Sequence, residues 1–188
     1  MQETSKYHFT ETELANEQGR IEAAKKNPSQ FAVLYDTYYE AIFRFVFQRL
    51  DDKELAFDTT QQVFMKALDK LKRYEYRGVP FASWLFRIAL NELNDLFRDA
   101  NAIRTVNIDS VSVYLIFEEF EETKIDKYHD KIVKIIGEQL EEDELQLIEM
   151  RFFEKRSFKQ IGDILDITEN NAKVKTYRVL DKLKKVLD

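Results

Sequence analysis

Residues 157–185 read "SFKQIGDILDITENNAKVKTYRVLDKLKK". Helical patterning runs through this stretch, breaks once at Asp166-Ile167-Thr168, and turns basic after the break. Before the break Ile161 and Leu165 lie four apart, on one inner face, with Gly162 beside them. A residue without a side chain there lets a second helix cross closely. Asp166 falls where the chain must turn, and Asp tolerates the left-handed conformation better than most residues. Thr168 is a good N-cap, and Ala172 follows four residues later on the inner side. This is helix-turn-helix spacing, in which the second helix enters a DNA major groove by its N-terminal end.

On that second helix Glu169, Asn170 and Asn171 occupy the exposed first turn. Asn pairs with adenine and Glu with cytosine at base edges. Lys173, Lys175 and Arg178 lie further along, where phosphates would be held for affinity without sequence information. The alternative is a capped helix hairpin whose lysines are simply solvated.

The totals frame this stretch. The net charge of the 188 residues is −6, yet residues 109–144 hold twelve acidic side chains against four basic ones. Residues 151–188 hold ten basic against six acidic. An acidic connector set apart from a basic end suggests a nucleic-acid contact. With four Gly, two Pro and no Cys, helix is favoured nearly throughout, and disulfides, thiolate metal sites and thiol nucleophiles are excluded. His8 and His129 have no metal-ligand partners at useful spacing, and no Gly-rich phosphate loop exists, so neither an enzyme nor a cofactor is expected. No apolar run is long enough for a membrane span and the start lacks a signal-peptide core, so a cytoplasmic protein without membrane insertion is expected.

Three further helices are predicted upstream: one from Pro28 to Leu50, one through "ELAFDTTQQVFMKALDKLKRY", and one through "FASWLFRIALNELNDLFRD" ending near Asn101. Projected at about 100° per residue, Trp84, Arg87, Asn91, Asn94, Asp95 and Arg98 share a polar face of the last. Leu85, Phe86, Ile88, Ala89, Leu90, Leu93, Leu96 and Phe97 share the opposite one. Trp, Arg and Asn together can stack on an unpaired base, grip its phosphate and bond its edge. The preceding loop adds Tyr74, Tyr76, Arg77 and Gly78 to that pocket. The competing reading packs Trp84 on a neighbouring helix and leaves the arginines solvated. On the middle helix Asp58, Gln62, Met65 and Asp69 line a polar side, with Gln61 at its border, while Val63, Phe64, Ala67, Leu68 and Leu71 point inward. An outward Met suits an adaptable protein contact.

The expected fold is all-α, with two small helical domains. The expected layout is an N-terminal extension over 1–27, a bundle over 28–101, an extended acidic linker over 102–126 and a helix-turn-helix domain over 127–188. "FAVLYDTYYEAIFRFVFQRL", "AFDTTQQVFMKAL" and "FASWLFRIALNELNDLFR" resemble, in that order, region two of a bacterial RNA polymerase sigma factor. "LIEMRFFEKRSFKQIGDILDITENNAKVKTYRVLDKLKK" resembles region four. The type resembled is the short extracytoplasmic-function (ECF) one.

That resemblance implies a transcription initiation factor with core RNA polymerase and promoter DNA as partners, and it leaves room for an anti-sigma factor. It implies that Asp58, Gln61, Gln62 and Met65 dock on core polymerase. Tyr76, Arg77, Phe81, Trp84, Arg87, Asn91, Asn94 and Arg98 would open and read the minus-ten element. Thr168 to Asn171, Lys173, Lys175 and Arg178 would read the minus-thirty-five element as duplex. The chain departs from the family pattern at Asp166, where Gly is usual, at Ala172, where Val is usual, and at Thr176, where an apolar residue is commoner. A strained turn and looser packing under the second helix are therefore expected. The rival functions are a stand-alone dimeric regulator, which has no use for the Trp84 stripe, and an adaptor that binds only protein.

Overall fold

The computed structural model describes residues 11–99, 104–105, 115–116 and 125–187. The chain falls into two compact units that divide after Thr105.

In the first unit α1 spans Glu11–Lys26. A 3-10 turn at Pro28–Gln30 follows, capped by the Asn27 side chain, which accepts from the Ser29 N–H at 3.1 Å. Pro28 thus opens a short prelude to the helix rather than α2 itself, which spans Phe31–Leu50. Asp51 ends α2 in the left-handed region at φ 51°. Asp52 caps α3, Lys53–Lys70, by accepting from the Leu55 N–H at 3.0 Å. A second 3-10 turn, Leu71–Arg73, and a loop lead into α4, Phe81–Arg98. The core of the unit is built from Leu34, Ile42, Val46, Val63, Leu85 and Leu93, all essentially inaccessible. Each such side chain contributes about 1.5–3 kcal/mol by leaving water.

Helical periodicity foresees this core, with exceptions near helix ends. Leu68 is 40% exposed rather than inward, and Leu96 and Phe97 are only half-buried. A larger departure is α1, where only an extension was expected. Glu17, Ile21 and Ala24 on one of its faces are buried, and the helix packs on α2 and on the 3-10 turn at 71–73.

Within the predicted linker, in the second unit, Leu115 and Ile116 are helical and Ile116 is buried. An extended linker is therefore incorrect at those two positions, because an apolar pair gains more by burial than by hydration. Ile125 and Asp126, the last two residues of the predicted linker, are helical as well, and the rest of it, Arg104 and Thr105 apart, lies outside the described residues, as do His8 and the side chain of His129.

In the second unit α5 spans Ile125–Glu138 and α6 spans Glu142–Ile148. A π turn at Glu149–Phe153 follows α6. Lys155, at φ 55°, breaks the chain direction. Then come α7, Phe158–Leu165, and α8, Glu169–Leu187. Lys182 on α8 ties back to α6 through an ion pair with Glu144 at 2.6 Å.

Candidate nucleic-acid interface

The α7–α8 corner is built almost entirely from neighbours in sequence. Ser157 and Gln160 form a reciprocal capping box at the start of α7. The Gln160 N–H donates to Ser157 Oγ at 3.2 Å, and the Ser157 N–H donates to Gln160 Oε1 at 2.9 Å. Asp166 sits at φ 59°, ψ 41°, the left-handed conformation the turn demands. The Ile167 N–H donates to the Gly162 carbonyl at 3.0 Å. A Cβ on Gly162 would meet the Ile167 carbonyl oxygen at 2.7 Å, so only Gly fits where the turn folds back on α7. Thr168 Oγ1 accepts from the Asn171 N–H at 3.2 Å and caps α8. Inside α7 it is Ile161 and Ile164 that are fully buried, while Leu165 is half-buried.

On α8 the inner face is Ala172, Thr176, Val179, Leu180 and Leu183, all buried. The Thr176 hydroxyl, buried without an apolar replacement, donates to the Ala172 carbonyl at 2.9 Å. No polar atom is left orphaned there, which is what makes a hydroxyl tolerable in a core. Thr168, Glu169, Asn170, Asn171, Lys173, Lys175 and Arg178 are all exposed. Sequence reasoning missed two further residues of this outward face, Val174 at 40% and Tyr177 at 39% exposure. Their spacing from the buried Ala172 and Thr176 was the available signal. Phe158 supports the Tyr177 ring at 6.2 Å, and the Lys173 ammonium lies 6.0 Å from it.

The first unit carries the second candidate surface, on α4 and the loop before it. Trp84 is half-buried, its indole 4.8 Å from the Tyr74 ring and 5.2 Å from the Phe81 ring. It packs against those two rings and stays partly accessible. Tyr76, Arg87 and Asn94 are half-buried, and Arg77, Asn91 and Arg98 are exposed. Arg98 is engaged with Asp95 at 2.7 Å. Gly78 adopts φ 75° in the loop, which a side chain would resist.

Two expected members of this surface are corrected. Phe81 is 0% exposed and belongs to the core, packed between Tyr74 and Tyr38. Tyr74 is buried as well, and its hydroxyl has no hydrogen-bond partner. Burial, then the nearby Glu17 charge and Tyr76, push the Tyr74 phenol up to about 12 against the pull of Arg77 and Arg87. Both rings stand behind Trp84.

On α3 Asp58, Gln62 and Met65 are exposed, Met65 by 63%. Gln61 is half-buried, its Nε2 donating to the Tyr35 hydroxyl at 2.9 Å. Phe57 joins the same exposed side, an apolar member the sequence reading passed over. Among the described residues no group of metal-ligating side chains converges, and no helix is long and apolar enough to cross a membrane.

Each of the two units contains a match to one family model. Residues 34–103 match sigma-70 region 2, and residues 138–185 match sigma-70 region 4. The chain belongs to the sigma-70 family. Several of its relatives are described as ECF sigma factors. The chain is 22% identical over 158 residues to the ECF RNA polymerase sigma factor BldN of Streptomyces coelicolor, a match covering 84% of this chain and 60% of that protein. It is 26% identical over 165 residues to SigX of Bacillus subtilis, covering 84% of each, and 24% identical to SigW of the same organism, covering 89% and 95%. In fold it is similar to CnrH, solved in complex with the cytosolic domain of CnrY, with a TM-score of 0.57 at 19% identity, covering 92% of this chain and 97% of that one. The family consists of transcription initiation factors that catalyse nothing themselves, and α1 lies outside the region-2 match.

Proposed function

We propose that this sigma factor binds core RNA polymerase and directs it to a particular promoter set, region 2 opening and reading the minus-ten element and region 4 reading the minus-thirty-five element. The observation that carries this reading is the presence of two different outward faces in one chain. One is the half-accessible indole of Trp84 with Arg77, Arg87 and Asn91, suited to an unpaired base. The other is the exposed, capped first turn of α8, suited to duplex. A duplex-binding regulator needs only the second.

In this reading Glu169, Asn170 and Asn171 meet base edges, and Lys173, Lys175 and Arg178 hold phosphates. Tyr76, Asn94 and Arg98 complete the minus-ten surface. Asp58, Gln61, Gln62 and Met65 form the polymerase-docking face. Residues 28–101 and 127–188 are the two functional domains, with the acidic stretch between them as connector, and an anti-sigma factor is a fitting inhibitory partner. The test is to add the purified chain to core polymerase lacking its own specificity subunit and to sequence the transcript starts. Discrete new start sites with a shared upstream pattern are expected. An unchanged, unselective start distribution overturns the reading.

A further inference from the structure

The carboxylate of Glu17 lies in the wall behind Trp84. Glu17 is 5% exposed, on a helix that precedes the region-2 match. Its Oε1 accepts a hydrogen bond from the Tyr38 hydroxyl of α2, and its Oε2 accepts from the Phe81 N–H at 2.9 Å. Phe81 is the first residue of α4, and the residue at the cap position is Pro80, which supplies no side-chain cap. Glu17 therefore provides, from 64 positions away in sequence, the cap that α4 lacks locally. A carboxylate suits that place, because the first N–H groups of a helix are unpaired and carry the positive end of its dipole. Tyr38 remains a donor to Glu17, since burial, reinforced by that hydrogen bond, raises its ionisation far above the ordinary tyrosine range.

The helix carrying Glu17 reaches the same wall a second time. The Lys25 ammonium lies over the Tyr74 ring, 5.9 Å from its centre. Tyr74 and Phe81 are the two rings against which the indole rests. Trp84 itself stands in the first turn of α4, the turn that frays when its N–H groups go unmet.

We propose that Glu17 is a positioning residue for promoter opening: by capping α4 from α1 it fixes Trp84 against the Tyr74 and Phe81 rings, so that strand separation depends on it while duplex anchoring by α8 does not. This rests on the minus-ten role assigned to α4 above. Glu17 touches no DNA. It removes the disorder that the indole would otherwise have to lose at the moment a base is captured.

The test uses the full chain with core polymerase on a promoter found by transcript-start sequencing. That promoter is prepared both as complete duplex and with a non-complementary bubble across the minus-ten element. Opening is read as permanganate reactivity of unpaired thymines, and duplex retention as footprinting over the minus-thirty-five element. Glu17→Ala is expected to lower opening of the duplex about tenfold, the equivalent of one charge-assisted hydrogen bond, and to change the bubble template and upstream footprint less than about twofold. Glu17→Gln keeps the volume and one acceptor oxygen, so it guards against a variant that fails to fold. It is expected to lose about threefold on duplex alone. Wild-type opening by both variants, or equal losses on both templates, overturns the proposal. A wild-type chain that selects no promoter overturns the functional reading instead, so the two failures are distinguishable.

Discussion

The two candidate DNA surfaces are held up in opposite ways. The outward turn of α8 rests on contacts between residues at most five apart: Ser157 with Gln160, Gly162 with Ile167, Thr168 with Asn171. The Trp84 surface rests on residues far apart in the chain, Glu17 and Tyr38 on two other helices and Tyr74 in the preceding turn. A locally built element keeps its shape whatever the rest of the unit does. A surface assembled at long range shares the fate of the whole bundle and can be disturbed from any of its supports.

The sharpest way to break that contrast is Gly162→Ala. The clashing atoms are backbone, the Ile167 carbonyl oxygen at 2.7 Å and the Glu169 nitrogen at 3.2 Å, so no side chain can move aside. A loss of about 3 kcal/mol in region-4 stability is expected, seen as a lowered thermal midpoint of that unit, with duplex retention lost and the region-2 transition unmoved. A variant as stable as the wild type would mean that the corner is looser than its distances imply.

Next in size is Trp84→Ala, which tests the other surface. Stacking on one base is worth about 2 kcal/mol, so opening is expected to fall roughly thirtyfold while footprinting over the minus-thirty-five element stays unchanged. Loss of both readouts together would remove the distinction between the two surfaces.

Asp58→Ala combined with Gln62→Ala leaves both DNA surfaces untouched and probes docking. Both side chains are exposed, so stability should stay within about 0.5 kcal/mol, while association with core polymerase weakens by about 1–2 kcal/mol. Equilibrium binding of a labelled chain to core enzyme measures it, and unaltered affinity would move the docking face elsewhere.

The smallest effect sharpens the local side of the comparison. Asp166 holds φ 59° without being Gly, so Asp166→Gly relieves a mild left-handed strain. Stabilisation of region 4 by at most about 1 kcal/mol is expected in chemical denaturation, since Gly gives part of the gain back in chain entropy. Destabilisation would show that the Asp side chain contributes more than its backbone conformation costs.

The same contrast explains what was legible in the sequence. The α7–α8 corner could be read because each of its determinants is a short-range rule: a cap, a left-handed residue, a missing Cβ. The inward and outward sides of α2, α3 and α4 could be read from period alone, except at Leu68, Leu96 and Phe97, which are less buried than the period implies. Helix α1 escaped because its buried stripe begins with Glu17, a charged residue that breaks any apolar pattern. Its reason for being buried is a backbone N–H on a helix much later in the chain. Phe81 was placed on the minus-ten surface by the family resemblance alone, whereas the first turn of α4, capped by Glu17, holds its ring in the core.

The chain has a single tryptophan, and it is the one lodged between Tyr74 and Phe81. Its intrinsic fluorescence therefore belongs to one side of one unit, with no second indole to dilute it. Emission colour and quenching become a label-free gauge of that loop, readable in the free protein, on added DNA and during unfolding.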